Sequence, residues 1–339
     1  MLSGGGSAQV YPRGGMAVPN EGPQSFPGPE VFDPSSPMKA LASRAQGRLT
    51  YVDGKDPAAA AGAAAHADVA IVFATQWLAE SFDAKTLSLP GDQDALVAAV
   101  AKANPRTVVV LETGGPVLMP WLDQVGAVLE AWYPGTSGGE AIARVLTGDA
   151  DPSGHLPITF PASEDQLPRP VVDRASGRGD LHPHTDYDIE GAAVGYRWFD
   201  LKGLKPLFPF GHGLSYTRFD FAGLHASAQR GSIVAQFRVR NIGGRPGAAT
   251  PQVYVSPVAG GWEAPKRLGG WRKLTLAPGA GADAEVAIDP RILATWDSAT
   301  QRWKIAEGDY RVVLARDAET PVATTTVRLG ARTLDARGR

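Results

Sequence analysis

Residues 67–161 repeat one pattern three times: a short, continuous apolar run, then a turn, then a helix-length segment. ADVAIVFATQW reads as a strand, ESFDAKTLSLPGDQ as a long acidic loop, DALVAAVAKANP as a helix and RTVVVLETG as the next strand. Runs such as 69–74 and 107–112, apolar throughout and flanked by helices, have the pattern of parallel strands buried on both faces. Asp92 and Asp94 suit the positive end of a helix over 92–104, and Asn104-Pro105 stops it. The Gly114-Gly115-Pro116 turn leads to a short helix at 119–125. A strand at 127–132, a helix at 140–147 and a last short strand in HLPITFP close the series. Upstream, residues 1–48 are rich in Gly, Pro and Ser and read as loop with one short helix at 36–45. A strand at about 48–52 and an alanine-rich helix at 57–66, begun by Pro57, follow. Repeated βα units predict an α/β fold, an open, mostly parallel sheet sandwiched by helices. Such sheets hold ligands in the loops beyond the carboxyl ends of their strands. Glu80 falls in a loop of this kind.

The pattern changes twice more. From 162 to 213 the chain is polar, broken by proline and histidine, then aromatic in GYRWFDLKGLKPLFPFGHGLSYTRF, which reads as a structured linker. Beyond Phe219 the period becomes two, in segments such as SIVAQFRVRNIG, TPQVYVSPV and GDYRVVLARD separated by turn residues. About seven short strands over the last ~120 residues predict an antiparallel β-sandwich. The expected division is 1–165 for the α/β domain, 166–215 for the linker and 216–335 for the sandwich.

Composition narrows the function classes. The 339 residues suffice for two cores. With 43% hydrophobic residues, 20% charged and a net charge of −2, nothing in the bulk electrostatics points to nucleic acid or an anionic membrane. There is no cysteine, which removes disulfides, thiolate metal sites and cysteine nucleophiles. No apolar run approaches the roughly 20 residues that span a bilayer. MLSGGGSAQVYPRGG lacks the basic start and apolar stretch of a secretory signal, and it opens abruptly on a glycine-rich loop, as either an unusual domain start or a chain beginning inside a larger gene product would. Neither SGGGS nor GTSGGEA matches a nucleotide-binding fingerprint. Ser137 and Ser153 lack a nucleophile elbow. His182 and His184 in LHPHTDYD form an HxH pair with no evident third ligand, so a polar linker is the favoured reading over a zinc site. Trp262, Trp271, Trp296 and Trp303 fit core and packing roles, with a carbohydrate-binding platform as the alternative. No metal or cofactor is expected.

Four blocks, in order along nearly the whole chain, carry a resemblance: ESFDAKTLSLPGDQ, ANPRTVVVLETGGPVLMPW, EAWYPGTSGGEAIARVLTGDADPSGHLPITFP and PLFPFGHGLSYT. Together they resemble the C-terminal half of a glycoside hydrolase family 3 β-glucosidase. Members of that kind have a (β/α)8 barrel, then an α/β sandwich, then a fibronectin type III-like sandwich, and this chain resembles the last two. The family's nucleophile is an aspartate on the barrel. The resemblance therefore implies the accessory part of a retaining β-glucosidase, acting on a β-linked glucoside or oligosaccharide beside a barrel that is separately encoded or otherwise supplied. Full-length relatives of this type are commonly periplasmic or secreted.

By the same resemblance, Glu80 occupies the acid/base position of an E-G-[FY]-D-R motif. That motif reads here Glu80-Ser81-Phe82-Asp83-Ala84, with serine for glycine and alanine for arginine. Read on residue type alone, Glu80 is a solvated loop acid. Asp83 either braces the acidic loop or accepts from a sugar hydroxyl. Trp77 either stacks on a sugar face or packs internally.

Overall fold

The computed structural model describes residues 2–3, 35–76, 78, 86–135, 137–169 and 186–338, and these form two compact units, Met1–Ala150 and Asp151–Arg339. The first unit is built on a five-stranded, all-parallel sheet. Its strands are β1 (Leu2–Ser3), β2 (Tyr51–Val52), β3 (Ala70–Thr75), β4 (Thr107–Glu112) and β5 (Ala127–Glu130), in the order β2-β1-β3-β4-β5. The central strands are apolar because both of their faces are covered: Val72, Phe73, Ala74, Val109, Val110 and Leu111 are wholly buried.

Helices α1 (Pro37–Ala42) and α4 (Gly138–Thr147) pack Leu41, Ile142 and Ala143 on Phe73 and Val110, with Ile71 and Leu129 alongside. Two further helices, α2 (Pro57–Ala64) and α3 (Gln93–Ala103), lie against each other, and α3 also contacts β3 and β4. Helix α2 starts where Asp56 accepts from the Ala58 N–H at 2.9 Å with Pro57 in the first turn. It has almost no polar side chain to define a face, and it buries Ala60 and Ala64, four residues apart. Asn104 at the end of α3 is buried and joins three segments. Its Nδ2 donates to Ala64 O (3.0 Å) and Ala67 O (2.8 Å), and its Oδ1 accepts from Arg106 N (2.9 Å).

The strand order reverses direction between β1 and β3. A reversal of this kind leaves a crevice at the carboxyl ends of the two strands, because their outgoing connections turn to opposite sides. The segment that follows β3 in the sequence is the one that contains Glu80.

Several elements differ from the sequence expectation. Leu2–Ser3 is a strand and not loop, although two residues carry no periodicity to announce it. The short helix expected at 119–125 is a single 3-10 turn, Leu122–Gln124. Strand β5 stops at Glu130, because Trp132 takes a left-handed φ of 54°. The final strand in HLPITFP amounts to one antiparallel bridge, Phe160 with Phe208.

In the second unit, helix α5 (Tyr196–Lys202) precedes an antiparallel β-sandwich. One sheet joins β6 (Phe219–Gln229), β7 (Ser232–Asn241) and, further along the chain, β12 (Gly281–Ala287), in the order β12-β7-β6. The other has the order β10-β9-β15-β16, from β9 (Gln252–Pro257), β10 (Arg267–Trp271), β15 (Gly308–Ala315) and β16 (Pro321–Leu329). Two small ribbons complete the unit: β8 (Gly247–Ala249) with β11 (Leu274–Leu276), and β14 (Arg302–Ile305) between β13 (Thr295–Asp297) and β17 (Arg332–Leu334). The ribbons are what a sequence count of about seven strands leaves out.

Strand β7 shows the expected alternation. Ile233, Ala235, Phe237 and Val239 point inward against Val253, Val255, Val312 and Leu314 of the facing sheet. The β6–β7 hairpin turns on Arg230 and Gly231, both at positive φ (50° and 74°), which matches the twist of its strands. The Asn241 side chain, fully buried at the end of β7, makes four hydrogen bonds. It donates to Arg245 O (2.7 Å) and Leu276 O (3.0 Å), and accepts from Thr217 Oγ1 (2.7 Å) and Gly243 N (3.0 Å).

Candidate functional site

The carboxyl ends of β3, β4 and β5 form one rim of the first unit, and the described residues of 76–92, namely 76, 78 and 86–92, are fastened there. Gln76 extends the β3–β4 pairing by one step, its N–H donating to Glu112 O at 3.1 Å. Gln93, the first residue of α3, reads the backbone of Thr75 in both directions. Its Oε1 accepts from Thr75 N (2.7 Å), and its Nε2 donates to Thr75 O (2.8 Å) and to Pro90 O (2.9 Å). One amide therefore holds the residue before the loop and a residue near its end. The returning arm is pinned again by Leu118 N donating to Leu87 O (2.8 Å) and by burial of Leu89.

The outgoing arm is held from β5. Tyr133 Oη accepts from the Leu78 N–H at 2.6 Å and has Gln76 O (3.0 Å) and Leu78 O (3.2 Å) within reach of its own hydrogen. The turn after β4 must leave room for this contact. A Cβ on Gly114 would lie 2.6 Å from Tyr133 Oη and 2.9 Å from Leu78 Cβ, so only glycine fits. Connections from three adjacent parallel strands thus meet around Leu78.

A second group of polar side chains lies on the same rim. Thr113 is wholly buried, and its Oγ1 is 2.8 Å from Gly115 O and 3.3 Å from both carboxyl oxygens of Glu130. Glu130 Oε1 also accepts from the Trp132 N–H at 2.9 Å. Burial outweighs these hydrogen bonds and pushes the Glu130 carboxyl up to about 8, so it carries its proton at neutral pH. The single Thr113 hydroxyl hydrogen has both Gly115 O and the Glu130 carboxyl within reach, Gly115 O being the nearer. Asp94, beneath the rim, accepts from Trp121 Nε1 at 2.7 Å, and burial raises its pKa as well.

Of the residues singled out in the sequence, Glu80, Trp77 and Asp83 lie outside the described residues, as do Ser81, Ala84, His182 and His184. Sequence reasoning placed Gln93 and Tyr133 inside family-like blocks without giving either a role. The available signals were an amide at the first position of a helix, directly after a Pro-Gly turn, and polar residues closing an otherwise apolar strand in EAWY. The four sandwich tryptophans divide. Trp262 lies under Arg267, 4.1 Å from the ring, and packs with Trp303 against the core, whereas Trp271 and Trp296 are 60% and 43% exposed. Among the described residues no group of three or more His, Asp or Glu is arranged to hold a metal ion, and no helix is long and apolar enough to cross a membrane.

Residues 1–216 match the glycosyl hydrolase family 3 C-terminal domain and residues 249–318 the fibronectin type III-like domain. The chain is 40% identical over 263 residues to a β-glucosidase of Rhizobium radiobacter, covering 75% of this chain and 31% of that protein. It is 37% identical to thermostable β-glucosidase B of Acetivibrio thermocellus, covering 79% and 36%. Among solved structures it resembles DesR, a β-glucosidase from Streptomyces venezuelae in complex with D-glucose (TM-score 0.75, 42% identity, 80% of this chain and 35% of that one). It also resembles a Bifidobacterium adolescentis β-glucosidase (TM-score 0.83, 28% identity, 97% and 49%). The chain spans 31% and 36% of the length of these two curated relatives. The protein belongs to the glycosyl hydrolase family 3 C-terminal domain family, with a fibronectin type III-like domain following.

Proposed function

We propose that this chain supplies the general acid/base, Glu80, of a retaining β-glucosidase whose nucleophile lies on a (β/α)8 barrel carried elsewhere. The substrate class is a β-linked glucoside or oligosaccharide. The observation that carries the reading is topological. In a chain of this family, the segment bearing Glu80 leaves β3 at the point where the strand order reverses, and both arms of its loop are fastened to the rim. Double displacement needs two carboxyl groups about 5–5.5 Å apart, one attacking and one exchanging the proton. A chain contributing only one of them is expected to be inert alone. Ser81 and Ala84 bear on the tuning of Glu80, since serine disfavours the positive φ open to glycine and alanine removes a cation. Asp83 would brace this loop and Trp77 would stack on the sugar.

The competing reading is a non-catalytic carbohydrate-binding or scaffold module, or an inactive remnant, and the exposed rings of Trp271 and Trp296 are the feature that favours binding. Aryl-β-glucoside hydrolysis by the purified chain, with and without the cognate barrel as a second polypeptide, separates the readings. Activity that appears only on mixing supports the acid/base role. Inactivity under both conditions, with sugar bound by the chain alone, supports the module.

A further inference from the structure

We infer that Tyr133 is a positioning residue for the acid/base, holding the outgoing arm of the Glu80 loop through the Leu78 backbone; this rests on the acid/base reading of Glu80. Three observations converge on it. Tyr133 Oη accepts from the Leu78 N–H at 2.6 Å and reaches Gln76 O at 3.0 Å, so one hydroxyl satisfies a donor and an acceptor of the loop backbone. Gly114 leaves the space in which the hydroxyl and Leu78 meet, and a methyl group there would collide with both. Tyr133 follows the left-handed residue Trp132, whose N–H is held by Glu130, so the turn presenting the ring is itself fixed.

Glu80 lies two residues beyond Leu78 in the sequence. Two residues span at most about 7 Å, so an anchor at Leu78 limits where the next side chains can reach. The returning arm has its own anchors at Leu87 and Pro90, which do not depend on Tyr133. Loss of the Tyr133 hydroxyl therefore frees one arm and leaves the other tethered. A general acid displaced in this way fails most where the leaving group most needs a proton.

Tyr133→Phe keeps the ring and removes only the hydroxyl. Two readouts are needed. In the chain itself, the Leu78 amide should exchange faster in Tyr133→Phe while the amides of Val109 and Val110 stay protected. In the complete enzyme containing this chain, kcat/KM for alkyl β-glucosides should fall about tenfold, the order expected for one or two lost hydrogen bonds. With 2,4-dinitrophenyl β-glucoside, whose leaving group needs no proton, it should stay within about twofold. Unchanged Leu78 exchange, or equal loss on both substrates, overturns the inference. Glu80→Gln measured beside it distinguishes the two failures. If Glu80→Gln is selectively impaired on alkyl glucosides and Tyr133→Phe is not, the anchor is wrong and the acid/base reading survives. If Glu80→Gln is itself unaffected, the acid/base reading fails and takes this one with it.

Discussion

Replacing Gln93 by glutamate changes one NH2 group into an oxygen, and the geometry predicts that this is worse than removing the side chain. The wild-type amide makes three bonds: Oε1 to Thr75 N, and Nε2 to Thr75 O and Pro90 O. Glutamate keeps the first and sets an anionic oxygen about 3 Å from two carbonyl oxygens. Each lost neutral bond is worth about 1 kcal/mol, and the unfavourable contact adds to that, for about 2–3 kcal/mol in total at a half-buried site. Alanine loses all three bonds but lets water reach the freed groups, at about 1–2 kcal/mol. The penalty of Gln93→Glu should shrink as pH falls toward the ordinary glutamate value of about 4.3, because the carboxyl held against two carbonyl oxygens regains its hydrogen in the folded chain first.

The chain folds as two units, so a single global transition is the wrong observable. Amide exchange at Val72 and Val110 reports the first unit alone. Protection lost by Gln93→Glu at neutral pH beyond that lost by Gln93→Ala, and recovered in acid, fits the clamp. Equal loss in the two variants, or loss independent of pH, would refute it.

Two other sites give sharp expectations. Glu130 has its carboxyl raised from the ordinary 4.5 to about 8, so between those values the folded unit holds a proton that the unfolded chain has lost. Its contribution to stability therefore falls as pH rises from about 4.5 to 8 and is level above, by an amount on the order of 5 kcal/mol. Glu130→Gln, which still accepts from Trp132 N–H, should flatten that slope when first-unit stability is followed against pH. In the sandwich, Asn241→Asp leaves Arg245 O and Leu276 O without their donor and buries a charge among them, for about 3–4 kcal/mol in denaturant unfolding of the second unit. Asn241→Ala should cost less.

What the sequence disclosed follows from how each feature is encoded. Strands β3, β4 and β7 and helices α3 and α4 were legible because burial imposes a period on neighbouring residues, which a chain must display to fold at all. The ends of β3 and α3 that flank the Glu80 segment were legible for the same reason. The clamps were not, because their partners are backbone atoms. Gln93 grips Thr75, 18 residues away, and Tyr133 grips Leu78, 55 residues away, and neither partner's side-chain identity takes part. Strand β1 escaped for a different reason. Two residues are enough to fill a gap between β2 and β3 in a sheet already formed, and too few to show a pattern. The early end of β5 depends on a tryptophan held at positive φ by the Glu130 carboxyl group two residues back, a tertiary outcome that intrinsic preference opposes.

The most direct test of the central claim is Glu80→Gln in the complete enzyme, with hydrolysis measured across β-glucosides of graded leaving-group pKa. The account predicts a steep new dependence on leaving group, near-normal release of 2,4-dinitrophenol in the first turnover, and loss of the basic limb of the pH–rate profile. A rate unchanged on alkyl glucosides, with both limbs intact, would contradict it.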